Sequence, residues 1–163
     1  MRRLRARILC VSVAILFTFP ARAETWRSYH NLQFGQTAEV PANWSMNPPP
    51  ENDDGRIFIS PDKRATITVS GIYALDSYEE EMASKAEPYG GETITYIKRG
   101  TRWIVISGTR GDDIFHQKSI LTCNDKIWNE IYIKYPKDDK EKYDKLVAQV
   151  SASLVHDHGF GCN

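Results

Sequence analysis

The chain has 163 residues, with 21 basic against 21 acidic side chains and 41% hydrophobic residues. That length suits one domain built on one core. The charge balance shows no basic excess or stripe, which argues against a nucleic-acid partner.

The first residues carry the three parts of a secretory signal. Arg2, Arg3, Arg5 and Arg7 make a positive start, 8–19 is almost wholly apolar, and Pro20 precedes the small-residue pattern Ala21-Arg22-Ala23. Residues 1–23 are therefore expected to be a signal peptide cleaved before Glu24, leaving 24–163 as a single domain. The run of twelve residues falls short of the roughly 20 apolar residues that a spanning helix needs. A membrane anchor is the poorer reading, and no stable membrane span is expected after processing. Cys10 lies too near the start of the run for lipoprotein processing. Processing removes five arginines and no acid, so 16 basic residues face 21 acidic ones in the mature chain. The expected location is the periplasm, with secretion as the alternative.

Cys123 and Cys162 are the two cysteines that survive processing. An even count in an oxidising compartment points to a disulfide, here closing a loop of about 40 residues. A two-thiol metal site or free thiols are the alternatives, but neither cysteine has a neighbour at Cys-x-x-Cys spacing.

Strands at 32–34 and 38–40 are expected to form a short hairpin around Gly35-Gln36. Trp44 is expected to be partly exposed beside a loop formed by Pro48-Pro49-Pro50 and 51–55. Strands at 56–60 and 65–73 flank a turn at 61–64, and the second alternates Ala65, Ile67, Val69 with Thr66, Thr68, Ser70. Ser77 and Glu80 make a capping box for a helix bearing Tyr78, Met82 and Ala86 on one side. The run Glu79-Glu80-Glu81 reads as acids favouring the helix dipole rather than as a metal site.

Four strands follow at 92–98, 101–107, 113–123 and 126–135. Short turns make them an antiparallel meander. Trp103 and Val105 lie on one face and Ile104 and Ile106 on the other, so both faces are covered at least in part. Asp138 and Glu141 suggest a cap and box for a last helix, with Tyr143, Leu146, Val147, Val150 and Leu154 as its apolar stripe. A ten-residue strand and the helix after it have similar lengths, so the chain returns towards Cys123 and brings Cys162 within reach. The fold class is α+β: an antiparallel sheet of hairpins and meander, with helices on its faces.

The chemistry-bearing candidates are few. His156-Asp157-His158 could ligate zinc or copper if further ligands came near, though a polar tail before a disulfide explains it as well. His116 near Asp112 and Asp113 could serve acid–base work, but the acids fall in a turn and no nucleophile accompanies them. Ser70-Gly71 and Ser107-Gly108 lack the flanking glycine of a nucleophile elbow. Arg110-Gly111-Asp112 falls where a hairpin needs a turn. No glycine-rich phosphate loop is present, and no catalytic, cofactor or metal residue is assigned.

The stretch 29–44, with Phe34-Gly35 and Val40-Pro41-Ala42-Asn43-Trp44, resembles the opening of PsbP-like domains. The helix after Tyr73, the long meander and the closing helix ending Ser151-Ala152-Ser153-Leu154 resemble them too. The segment from Ile94-Thr95-Tyr96 through Trp103 and Gly108 to Tyr135-Pro136 resembles uncharacterised exported bacterial proteins of that kind. The resemblance implies an antiparallel sheet faced by helices, in a fold used mainly by accessory and binding proteins rather than enzymes. The expected function is that of a non-catalytic exported protein acting on an envelope protein or small ligand. The alternatives are an enzyme around Asp112, Asp113 and His116, or a metal binder using the His156-Asp157-His158 tail.

Overall fold

The computed structural model describes residues 24–157 and Cys162. The expected signal peptide, residues 1–23, and His158 lie outside the described residues. In chain order the strands are β1 (Trp26–His30), β2 (Gln36–Pro41), β3 (Ser45–Met46), β4 (Gly55–Ile59) and β5 (Thr66–Tyr73). Helix α1 (Tyr78–Ser84) precedes β6 (Glu92–Arg99), β7 (Trp103–Arg110), β8 (Asp113–Thr122) and β9 (Ile127–Pro136). A 3-10 turn (Lys137–Asp139) leads into α2 (Lys140–Ser153), and β10 (Val155–His156) ends the run.

The meander is present, and β5 extends it by pairing antiparallel to β9 from Thr66↔Lys134 to Tyr73↔Ile127. The large sheet has the order β3-β4-β5-β9-β8-β7-β6, while β1, β2 and β10 form a small one. Alternation divides the large sheet into two apolar faces. One carries Phe58, Ile67, Val69, Ile131 and Ile133, which α2 and β2 cover with Tyr143, Leu146, Val147, Val150, Ala38 and Val40. The other carries Ile104, Ile106, Phe115, Leu121 and Trp128, which α1 covers with Met82. Each fully buried side chain of this size contributes about 1.5–3 kcal/mol. The two covers are offset. The small sheet and α2 sit over β4, β5, β9 and the near edge of β8, and α1 sits over β7, β8 and β9. The outer part of the α2 face, on β6–β8, is left as an open shelf beside the helix.

The capping box of α1 forms: Glu80 N–H donates to Ser77 Oγ, and Ser77 N–H donates to Glu80 Oε2. Three local expectations need correction. The first hairpin pairs β1 with β2, so 32–34 is its turn rather than its first strand. The cause is Asn31, whose Oδ1 accepts from the backbone N–H groups of Gln33 and Phe34 and bends the chain there. Gly35 completes the bend at φ 69°. The last helix starts from a 3-10 turn with Asp139 at its N-cap and no side-chain cap bond, so the expected box on Asp138 is not made. Trp44 is buried at 4% exposure, held edge-on against Tyr143 of α2.

Candidate functional site

The open shelf is a groove of about 490 Å³. Its floor follows from strand alternation: Tyr96 and Lys98 of β6, Trp103 and Val105 of β7, and His116, Lys118 and Ile120 of β8 share one face. One wall is the flank of α2, where Ala148, Ser151 and Ala152 present small side chains. The groove is mostly apolar, with two ammonium groups and no carboxylate among its lining residues. Lys98 lies over the Trp103 ring, 6.0 Å from its centroid. Lys118 Nζ donates to the Ser151 carbonyl at 2.8 Å. Burial pulls the Lys118 ammonium below its usual range.

His116 sits at the inner edge of the groove between two hydroxyls. Its Nδ1 is 2.8 Å from Ser107 Oγ and its Nε2 3.0 Å from Ser151 Oγ. A neutral ring satisfies both, donating at one nitrogen and accepting at the other. Burial first, and then the Lys118 charge, pull this imidazole down to about 4. At neutral pH it carries no charge and is a weak base. The cationic character of the groove therefore comes from Lys98 and Lys118.

A second hollow of about 400 Å³ lies on the opposite face, beside α1. Four of its polar groups are paired with one another. Lys85 pairs with Glu130, and the Tyr132 hydroxyl donates to Glu92 Oε1 at 2.9 Å. Burial, together with the Glu92 bond, pushes the Tyr132 phenol up to about 12, so it remains a donor. A ligand there would have to compete with bonds already made. The groove over β6–β8 is the better candidate.

The carboxylates suspected beside His116 do not join it. Asp113 and His116 are three residues apart in β8, so their side chains leave opposite faces. Asp113 instead faces Lys134 at 3.4 Å, and Asp112 is exposed in the two-residue turn with Gly111. The partners that do reach His116, Ser107 and Ser151, come from β7 and α2. The histidine tail is also divided. His156 turns inwards: its Nδ1 is 3.0 Å from Asn129 Oδ1. Asp157 lies 4.0 Å from His30 Nε2 instead. Cys123 and Cys162 are bonded, with Cα atoms 4.9 Å apart, inside the normal range for a disulfide. Strand β10 explains how the tail arrives: it pairs with β2 through Val155↔Thr37 and His156↔Gln36 before the bridge.

Strand alternation puts Trp103 and Val105 on a common face but does not join them to Lys98, Lys118 and Ser151. The signal was there in the spacing of His116, Lys118 and Ile120, which put two polar groups on the face of β8 that looks towards α2. The register needed to set that face beside Trp103 is visible only in three dimensions.

No protein-family model matches the chain, and no curated protein matches its sequence. Solved structures do match its shape. Cyanobacterial PsbP (CyanoP) from Synechocystis superposes with a TM-score of 0.59 at 8% identity, over 85% of this chain and 96% of that one. The Ran-binding protein Mog1p of Saccharomyces cerevisiae gives 0.54 at 10% identity, over 82% and 96%. The class defined by this architecture is therefore the PsbP-like α+β fold. This chain carries a disulfide-tied C-terminus and a cationic, mostly apolar groove. The disulfide fits a location outside the cytoplasm. Among the described residues no helix is long and apolar enough to cross a membrane.

Proposed function

We propose that this protein is a non-catalytic, periplasmic binding module whose ligand is an envelope amphiphile: an apolar chain carrying a carboxylate or phosphate. The observation that carries the reading is the composition of the groove. Tyr96, Trp103, Val105 and Ile120 offer apolar surface, Lys98 and Lys118 offer positive charge, and no acid lines the site. An ammonium has three donors, and Lys118 uses one on Ser151, so it can also meet an anionic headgroup. An ion pair at the edge of an apolar groove is better shielded from water than one on open surface. The non-catalytic part rests on His116. An imidazole pulled down to about 4 is poorly matched to proton transfer at neutral pH, and no carboxylate orients it.

The test is a titration with decyl phosphate below its micelle concentration, followed by tryptophan fluorescence. Lys98→Gln combined with Lys118→Gln is expected to weaken binding at least tenfold while leaving the circular dichroism spectrum unchanged. Equal binding by the variant and the parent would remove the groove as the site. Equal binding of decyl glucoside would remove the requirement for an anion.

A further inference from the structure

The disulfide has a third member. His156 Nε2 lies 3.6 Å from the Sγ of Cys123 and 3.6 Å from the Sγ of Cys162. All three atoms fall within 4.8 Å of one another. We propose that, when the disulfide is reduced, Cys123, Cys162 and His156 form a zinc site, so that one locus is a covalent staple when oxidised and a metal centre when reduced.

The orientation of His156 supports this independently of the cysteines. Asn129 is fully buried, and its Nδ2 donates to the Phe34 carbonyl at 3.0 Å. A carbonyl can only accept, so the orientation of the amide is fixed and its Oδ1 is the acceptor. The His156 Nδ1 facing that oxygen at 3.0 Å is then the protonated nitrogen. In the neutral ring the lone pair is on Nε2, the atom directed at both sulfurs. Metal-ligating histidines are held this way, with the second nitrogen donating to an oxygen behind the ring. The polar surroundings extend further: Thr122 Oγ1 also meets Asn129 Oδ1, and the buried Gln36 amide accepts from Asn129.

The distances fit the cation. Zinc bonds of about 2.3 Å to sulfur and about 2.0 Å to nitrogen, at a tetrahedral angle, place sulfur and nitrogen roughly 3.5 Å apart. The nitrogen–sulfur distances are already 3.6 Å. The sulfurs must separate to about 3.8 Å by the same geometry. Cys162 is exposed while Cys123 is buried, so Cys162 is the group that moves. Three protein ligands leave the fourth position to solvent.

The step balances with a dithiol reductant. Two electrons and two protons pass from the dithiol to the bridge, the dithiol becomes a disulfide, and Cys123 and Cys162 become thiols. Zinc then displaces both thiol protons and takes two thiolates and the His156 nitrogen.

The experiment uses the mature chain, oxidised or reduced under anaerobic conditions, titrated with zinc against a chromophoric chelator. One equivalent is expected to bind the reduced protein, with at least a hundredfold weaker binding by the oxidised protein. His156→Ala is expected to weaken the reduced-state affinity at least tenfold, and His158→Ala to leave it unchanged. Cobalt(II) added to the reduced parent reports the ligands without mutation: thiolate charge-transfer bands with intense tetrahedral d–d absorption are expected. Equal zinc binding in the two redox states overturns the proposal. So does cobalt absorption of weak octahedral form, or loss of affinity on His158→Ala with none on His156→Ala.

Discussion

Removing the bridge at its exposed end tests how the C-terminus is held. The two cysteines are 39 residues apart. In the chain-entropy argument, closing a loop of that length stabilises the fold by about 4 kcal/mol. Cys162→Ser removes that constraint with little loss of packing, because Cys162 is exposed. The expected loss is about 2–4 kcal/mol, or roughly 5–15 °C in Tm for a domain of this size. Cys123→Ser is expected to cost about 1 kcal/mol more. Cys123 is buried against Phe34 and Ile127, so the hydroxyl replaces a sulfur in an apolar cluster. Urea unfolding of the parent and both variants, with and without reductant, gives these differences. Reductant should bring the parent to the level of Cys162→Ser. Identical midpoints for the oxidised parent and Cys162→Ser would refute the constraint as a source of stability.

His116 ties stability to pH. Its folded value of about 4 lies below the ordinary 6.5, so between these values the unfolded chain binds more protons. Stability should fall as pH drops from about 6.5 towards 4, by roughly 3 kcal/mol at most. His116→Gln should flatten that part of a pH series of urea midpoints, and an unchanged slope would contradict the burial argument. Glu81 is expected to matter more than its exposed neighbours in the acidic run. Its carboxylate accepts from Leu75 N–H, Asp76 N–H and the Trp128 indole. Glu81→Ala should cost about 2–4 kcal/mol by thermal unfolding, against under about 0.5 for Glu79→Ala. A methyl group at Gly71 would stand 2.4 Å from Cβ of Phe34, so Gly71→Ala should destabilise by about 1–3 kcal/mol in the same assay.

The elements that could be read from sequence are those whose local chemistry agrees with their packing. The Ser77–Glu80 box, the α2 stripe and the alternation in β5 each carry their own signal, and each formed. In the first hairpin the apolar residues Leu32 and Phe34 look like a strand, while Asn31 makes a turn through side-chain bonds that composition does not reveal. Glu81 looks like a dipole partner in the sequence, because its bond to Trp128 spans 47 residues. The groove depends on the register of β6, β7 and β8 and on where α2 stops covering them. Its residues were visible individually, but their juxtaposition was not.

The central claim, that the groove over β6–β8 receives an anionic amphiphile, is tested most directly by mapping the contact on the unmutated protein. Backbone and indole amide shifts of the isotope-labelled mature chain should be followed while decyl phosphate, decyltrimethylammonium and decyl glucoside are added separately. Saturable shifts are expected with decyl phosphate alone. They should centre on Lys98, Trp103, Val105, Lys118 and Ser151 and spare the hollow beside α1. Shifts that cluster elsewhere, or that the cationic amphiphile reproduces, would contradict the account.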